Sequence, residues 1–359
     1  MLGLPVEEIS YARRGFRGAT DQMRARLEQV GASFRDGYQA ALDQGKANGL
    51  DKLLEVVSPE LRGFAFEGAA MGLALLDRLT PWRPHRLSDF MDGAGEPHIY
   101  MVHVGVGWVW ARWPLRAPQP SQREKRQLDP VLLWLGYDGW GFHEGFFHWP
   151  KYMGGAPAPR SLEGYQRRVF DQGLGRSFWF VNGGNPGLIA GVIEAFAWER
   201  QADLWSGVGL AATYAGMVDR PILEQLRDLA SPHWPHLAQG SAFAAKARAR
   251  AGNSTDYTEL AVRALCDISA EEAARLCDST LRETLRRQTP NTKHQTPLER
   301  QAPKLANGAN EAPVYEEWRR RIQEHFAQAS SAQSDRSENH NQANCAHLHM
   351  THGTLTHDT

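Results

Sequence analysis

Apolar residues recur at intervals of three and four from early in the chain. Met23, Leu27, Val30, Phe34, Tyr38 and Leu42 are separated by charged residues, which predicts an amphipathic helix over 17–47. Ser58-Pro59-Glu60 reads as a cap, a first-turn proline and an acid. The mostly apolar or small run up to Leu76 then places Glu67 inside a helix, among Phe64, Phe66, Ala70 and Met71. The stretch Pro97–Trp113 is apolar almost all round and ends against Pro114 and Pro118. Asp129-Pro130 opens a helix that runs through Leu135, Tyr137, Trp140 and Phe146 to Pro150. Ser161 is expected to cap a helix to Phe170, and Gly173-Leu174-Gly175-Arg176-Ser177 to be a glycine-rich junction. An apolar helix follows over Leu188–Phe196, Leu204–Tyr214 continues in the same style, and Pro221–Ala230 and Thr255–Leu285 are amphipathic. The expectation is an all-α fold with a single helical core over residues 10–285.

Past about residue 286 the pattern stops. Residues 288–312 are polar and proline-containing, 313–328 can form one charged helix, and 329–359 are rich in Ser, Asn, Gln and His. Such composition buries too little apolar surface to offset ordering entropy, so 286–359 is expected to be a mostly disordered C-terminal tail. Its histidines, His340, His347, His349, His352 and His357, are an adventitious metal site at most.

Two glycine-rich stretches have a common order. Phe66-Glu67-Gly68 is followed by Gly105-Val106-Gly107, and His143-Glu144-Gly145 by Gly207-Val208-Gly209. This suggests an internal pseudo-repeat that encloses one site between Glu67 and Glu144. Gly105 and Gly107 would each cost about 1 kcal/mol in an exposed helix, so a helix or ligand is expected to approach them closely.

Composition narrows the function. Forty basic and forty-one acidic residues leave a formal charge of −1, which gives no electrostatic case for nucleic acid. Eleven of the twelve tryptophans fall within residues 50–285, which suits a crowded core or a cavity for an apolar small molecule. Cys266, Cys277 and Cys345 form neither a disulfide framework nor a zinc knuckle, so a reducing, cytoplasmic setting is expected. The most membrane-like run, Ile99–Ala111, is too short to span, so no transmembrane segment is expected. A homodimer stays open.

The candidate catalytic residues are Glu67, Glu144, His143 and Asp138. Two carboxyl groups in one apolar site would share a proton, because repulsion and desolvation raise one pKa into the range of acid catalysis. His143 would orient or relay that proton, and Asp138 would reach the same cavity mouth. The competing reading is that each carboxylate pairs with Arg176 or Arg200. Trp108, Trp140, Phe142, Arg176, Trp205 and His103 are the candidate substrate-binding residues. Glu144 and His148 share a helical face, but the spacing is not His-Glu-x-x-His, and no Glu-x-x-His pair begins at Glu67 or Glu144. No metal ligand is therefore assigned and no cofactor is expected, with iron or another divalent metal as the alternative. Phosphate-loop, dinucleotide and nucleophile-elbow signatures are absent.

At these same segments the chain resembles the DUF1702 family, largely uncharacterised bacterial proteins of which some are encoded in biosynthetic clusters for enediyne and other polyketide natural products. The resemblance is carried by Phe66-Glu67-Gly68-Ala69-Ala70-Met71, Tyr100-Met101-Val102-His103-Val104-Gly105 and Leu135-Gly136-Tyr137-Asp138-Gly139-Trp140-Gly141-Phe142-His143-Glu144-Gly145. It continues in Gly173-Leu174-Gly175-Arg176-Ser177 and in Asp203-Leu204-Trp205-Ser206-Gly207 through Gly216, and covers roughly residues 10–285. Phe196-Ala197-Trp198-Glu199-Arg200 departs from the proline and second arginine expected there, which argues against anion binding by that segment. With this context the expected function is natural-product biosynthesis: a cofactor-independent acid–base isomerase or cyclase acting on an apolar polyene or polyketide-like substrate. The alternatives are a non-catalytic protein that shields a hydrophobic metabolite and a metal-dependent oxygenase.

Overall fold

A computed structural model describes residues 3–83, 85–113, 120–288 and 312–329. Among these the structure is all helical, with no strand. The long helices are α1 (Asp21–Gln44), α2 (Pro59–Leu79), α3 (Ile99–Arg112), α4 (Leu135–Phe147), α5 (Tyr165–Val181), α6 (Trp198–Tyr214), α7 (Trp234–Arg250), α8 (Asp256–Cys266) and α9 (Ala270–Gln288). A further helix, α10, occupies residues 314–329. From α1 to α7 each helix packs chiefly on its neighbours in sequence, and α9 closes the series on α7. The product is a row of helices with one continuous core rather than two stacked halves.

Glycine sets the spacing of this row. A Cβ on Gly37 of α1 would collide with the Ala65 carbonyl of α2, and one on Gly68 of α2 with the Phe34 carbonyl of α1. The same reciprocal contact recurs between Gly107 and Gly139, Gly141 and Gly173, Gly175 and Gly207, and Gly209 and Gly240. Backbones meet directly at each crossing, and no other residue fits there. Gly105, Gly139, Gly173 and Gly207 recur at 34-residue intervals. The two-unit repeat expected from Glu67 and Glu144 does not emerge in this packing. Within the recurring frame Glu67 corresponds to Asp138, since each immediately precedes a crossing glycine, whereas Gly145 meets the Ser177 side chain.

Two boundaries differ from expectation. Gly173–Ser177 is no junction, because α5 runs unbroken through it: burial against α4 and α6 outweighs the low helix propensity of Gly173 and Gly175. Ser161 does not cap that helix, whose N-cap is Gly164 in a positive-φ conformation. Asp129 does act as expected of a helix start, its side chain accepting from the Val131 and Leu132 amides at 2.8 and 2.9 Å ahead of α4.

The helix expected at 313–328 is part of the core rather than of a tail. Val314, Tyr315, Trp318, Arg319, Ile322 and Phe326 are buried. Trp318 donates to the Cys277 carbonyl at 2.9 Å, and Arg319 pairs with Asp203 of α6 at 2.8 Å. The helical core thus extends beyond residue 285. Pro114, Pro118, the 289–311 stretch and the histidine-rich 330–359 lie outside the described residues. No helix of the described residues is long and apolar enough to cross a membrane.

Candidate functional site

In each reciprocal pair the later glycine is preceded by a buried polar residue, Glu67, Asp138, Gln172, Ser206 or Gln239, whereas Val104, before Gly105 in α3, is apolar. Because the crossings align, these side chains form a row through the centre of the molecule. Gln172 donates to Asp138 Oδ2 at 2.6 Å and to the Tyr315 hydroxyl at 3.3 Å. Ser206 donates to Gln239 Oε1 at 3.0 Å, and Arg319 reaches the same oxygen at 3.1 Å. A buried polar group without such partners would cost several kcal/mol; these bonds satisfy most of the row, while Gln172 Oε1 and Gln239 Nε2 are buried without a partner among the described residues.

At Glu67 and Asp138 the row opens onto empty space. Two narrow cavities, each of about 40 Å3, lie on either side of a waist formed by Phe64, Arg176 and Phe180, which line both. The Asp138-side cavity runs past Asp138, Tyr100, Met101, Tyr214, Phe243 and Trp318. The Glu67-side cavity runs past Phe34, Glu67, Trp108, Phe142, Phe146 and Phe147. Apart from the carboxyls, the guanidinium and Lys246, the walls are almost wholly aromatic or aliphatic, as in a site for an apolar ligand.

Glu67 is 2 % exposed and its Oε1 accepts from Trp108 Nε1 at 2.9 Å; among the described residues Oε2 has no hydrogen-bond partner. Burial pushes the Glu67 carboxyl up to about 7, against the lowering effects of Arg176 and the Trp108 hydrogen bond, and Asp138 adds to the rise. Arg176 donates from Nη1 to Asp138 Oδ1, and its guanidinium lies 4.9 Å from the Phe142 ring centroid. Burial works against the Arg176 charge, but Asp138 and Glu67 hold its pKa above the usual arginine value. The waist therefore combines a closed ion pair, Asp138 with Arg176, and a nearby carboxyl poised between its two protonation states.

Of the candidate residues, Glu67, Asp138, Arg176, Trp108 and Phe142 line the two cavities. Glu144 is not among them. It is partly exposed and lines an open surface cleft with Phe147, His148, Pro150 and Lys151. Its Oε2 accepts from the Tyr152 hydroxyl at 3.0 Å, and Lys151 and His148 stand 3.8 and 4.0 Å away. The expected Glu67–Glu144 pair is replaced by Glu67 and Asp138, because the frame that repeats is the crossing glycine and not the Glu-Gly dipeptide. Asp138 itself serves as the counter-ion of Arg176 rather than as a free acid.

The histidines also fall elsewhere. His143 lies edge-on to Trp108 at 5.6 Å and against Phe147 at 4.8 Å, outside both cavities, and burial, with Arg112, His148 and Arg14 nearby, pushes it down to about 3. It is neutral, and its Nδ1 is 3.9 Å from Glu144, too far for a hydrogen bond. His103 holds a turn: Nδ1 meets the Ile99 carbonyl at 2.8 Å and Nε2 accepts from the Asp129 amide at 3.1 Å. Trp140 and Trp205 are buried in the core and line neither cavity. Arg200 is spent on Asp171, which it meets with two hydrogen bonds of 2.6 and 2.8 Å. No group of three or more His, Cys, Asp or Glu side chains able to hold a metal occurs among the described residues, and His143, Glu144 and His148 do not make one. Phe64, Tyr100, Phe180, Tyr214 and Trp318 belong to the cavity walls without having been singled out in the sequence.

Comparison with known families adds one result. The family model described as "Protein of unknown function (DUF1702)" matches residues 1–326. The chain belongs to the DUF1702 family. The match ends inside α10, so in this DUF1702 protein the helix that carries Trp318 and Arg319 belongs to the family unit together with the rest of the core. No curated protein and no solved structure matches the chain.

Proposed function

We propose that the protein is an acid–base enzyme of natural-product biosynthesis, a cofactor-independent isomerase or cyclase for an apolar polyene or polyketide-like molecule, with Glu67 moving the proton. The observation that carries this reading is a buried carboxyl held at about pH 7, with one oxygen unpartnered, on the wall of an apolar cavity that ends at Arg176. A group with its pKa near the working pH is suited to taking and returning a proton. As a carboxylate, Glu67 removes a proton from a carbon conjugated to a carbonyl; the C–H electron pair moves into the conjugated system, and negative charge gathers on the carbonyl oxygen beside Arg176. Glu67 then returns the proton to a different carbon and the double bond has moved. If the electron pair attacks a second, electrophilic carbon first, a ring closes. Atoms and electrons balance without an oxidant. A cytoplasmic setting belongs to the same reading, and the free, buried thiols of Cys266 and Cys277 suit a reducing compartment.

Incubation with a long-chain conjugated polyenone in D2O tests the assignment. Wild type and Glu144→Gln are expected to introduce deuterium along the chain, at a rate that rises as pH passes through about 7. Glu67→Gln is expected to introduce none, and undiminished exchange in that variant overturns the role. Tight binding without any exchange by the wild type would identify a shielding protein that uses the same cavities.

A further inference from the structure

We infer that the ligand is a long, unbranched apolar chain with an uncharged carbonyl oxygen in its interior, seated on Arg176 with one arm in each cavity. The inference rests on the enzymatic reading above only in using the same chamber. Its first support is placement: Phe64, Arg176 and Phe180 line both cavities, so the one guanidinium stands at the waist and not at either end. A polar group at the end of a chain would leave one cavity unused. The cavities are also narrow, which suits an unbranched chain better than a fused-ring body.

The second support is the state of Arg176. Only Nη1 is engaged, by Asp138; among the described residues the rest of this buried guanidinium has no hydrogen-bond partner. A charged donor on the cavity wall without a protein partner is available to an oxygen arriving in the ligand. The third support is charge. Asp138 already neutralises Arg176, and Glu67 is partly ionised at neutral pH. A ligand carboxylate would be a further anion at a waist whose one cation is Arg176, the other lining cation, Lys246, being paired with Asp278; a ketone or ester carbonyl accepts the same hydrogen bonds and brings no charge.

The test uses the full chain and three probes of equal carbon count, delivered from cyclodextrin and quantified after dialysis at pH 8: a symmetrical dialkyl ketone, the n-alkane and the fatty acid. A hydrogen bond to a charged donor predicts that the ketone binds at least about tenfold tighter than the alkane. The fatty acid is expected to bind more weakly than the ketone. Moving the carbonyl next to one end of the chain should abolish most of the gain. Arg176→Met combined with Asp138→Leu should make ketone and alkane equal, and the probe series on the wild type stands by itself if that variant does not fold. Equal binding of ketone and alkane, tightest binding of the fatty acid, or no binding of any probe overturns the inference. Binding needs no turnover, so a ketone held but never exchanged would count against the enzyme and not against this ligand. Turnover of a chain lacking an interior oxygen would do the reverse.

Discussion

Glu67 stands between opposed influences. Removal from water favours its neutral form, while Arg176 and the Trp108 N–H favour the carboxylate, and burial prevails, leaving the pKa at about 7. A carboxyl raised in the folded state above its value of 4.5 in the open chain favours folding at low pH. That contribution is complete below about pH 4.5 and is lost as pH rises through 7. Glu67→Gln keeps an acceptor for Trp108 and removes the titration. The variant should therefore be more stable than wild type at pH 8, by an amount on the order of 3 kcal/mol at most, and nearly equal to it at pH 4. Urea denaturation at the two pH values measures this, and an unchanged difference between them would contradict the assigned pKa. The importance of Glu67 was legible in the sequence, since a carboxylate among Phe64, Phe66, Ala70 and Met71 needs a reason to be there. Its partner was not. Glu144 shares the Glu-Gly dipeptide, but which face a helical side chain presents depends on where the helix crosses its neighbour, and that is set by Gly139 and Gly141, several residues before Glu144.

At the scale of the helix, small residues decide the architecture. Helical period alone identified most elements, because their apolar positions keep spacings of three and four. Only part of α5 was foreseen, because Gly173 and Gly175 read as a break, and α7 was missed, its Gln239-Gly240-Ser241 centre diluting the apolar stripe. In both cases the feature that hides the helix locally is the one that lets it pack. Gly173→Ala places a methyl against the Asp138 carbonyl and should cost at least about 2 kcal/mol, as overpacking does. Gly191→Ala, in the Pro186–Glu194 helix with nothing within 4 Å of the added carbon, should instead stabilise by about 0.5–1 kcal/mol. Thermal melts of both variants separate crossing glycines from incidental ones. If both destabilise alike, the crossing account fails.

Across the whole molecule α10 packs onto the row of helices through α6 and α9. Trp318 lines the Asp138-side cavity and packs 4.5 Å from the Phe243 ring, while Arg319 ties Asp203, Gln239 and Tyr165 together. Its charged sequence led to its assignment to a tail; the buried apolar stripe of Val314, Tyr315, Trp318, Ile322 and Phe326 outweighs that, and Arg319 is buried only because Asp203 receives it. Trp318→Ala should cost about 3–5 kcal/mol, read by chemical denaturation, and a change under about 1 kcal/mol would show the helix to be dispensable. Trp318 of α10 joins the core helices in lining the chamber, and the proposed chemistry rests on one titrating group. Infrared difference spectroscopy of wild type against Glu67→Gln, across a pH series, observes that group directly. The account predicts a single carboxyl band, present at pH 5 and lost with a midpoint near 7; a midpoint near the ordinary glutamate value of 4.5, or no Glu67-dependent band, would contradict it.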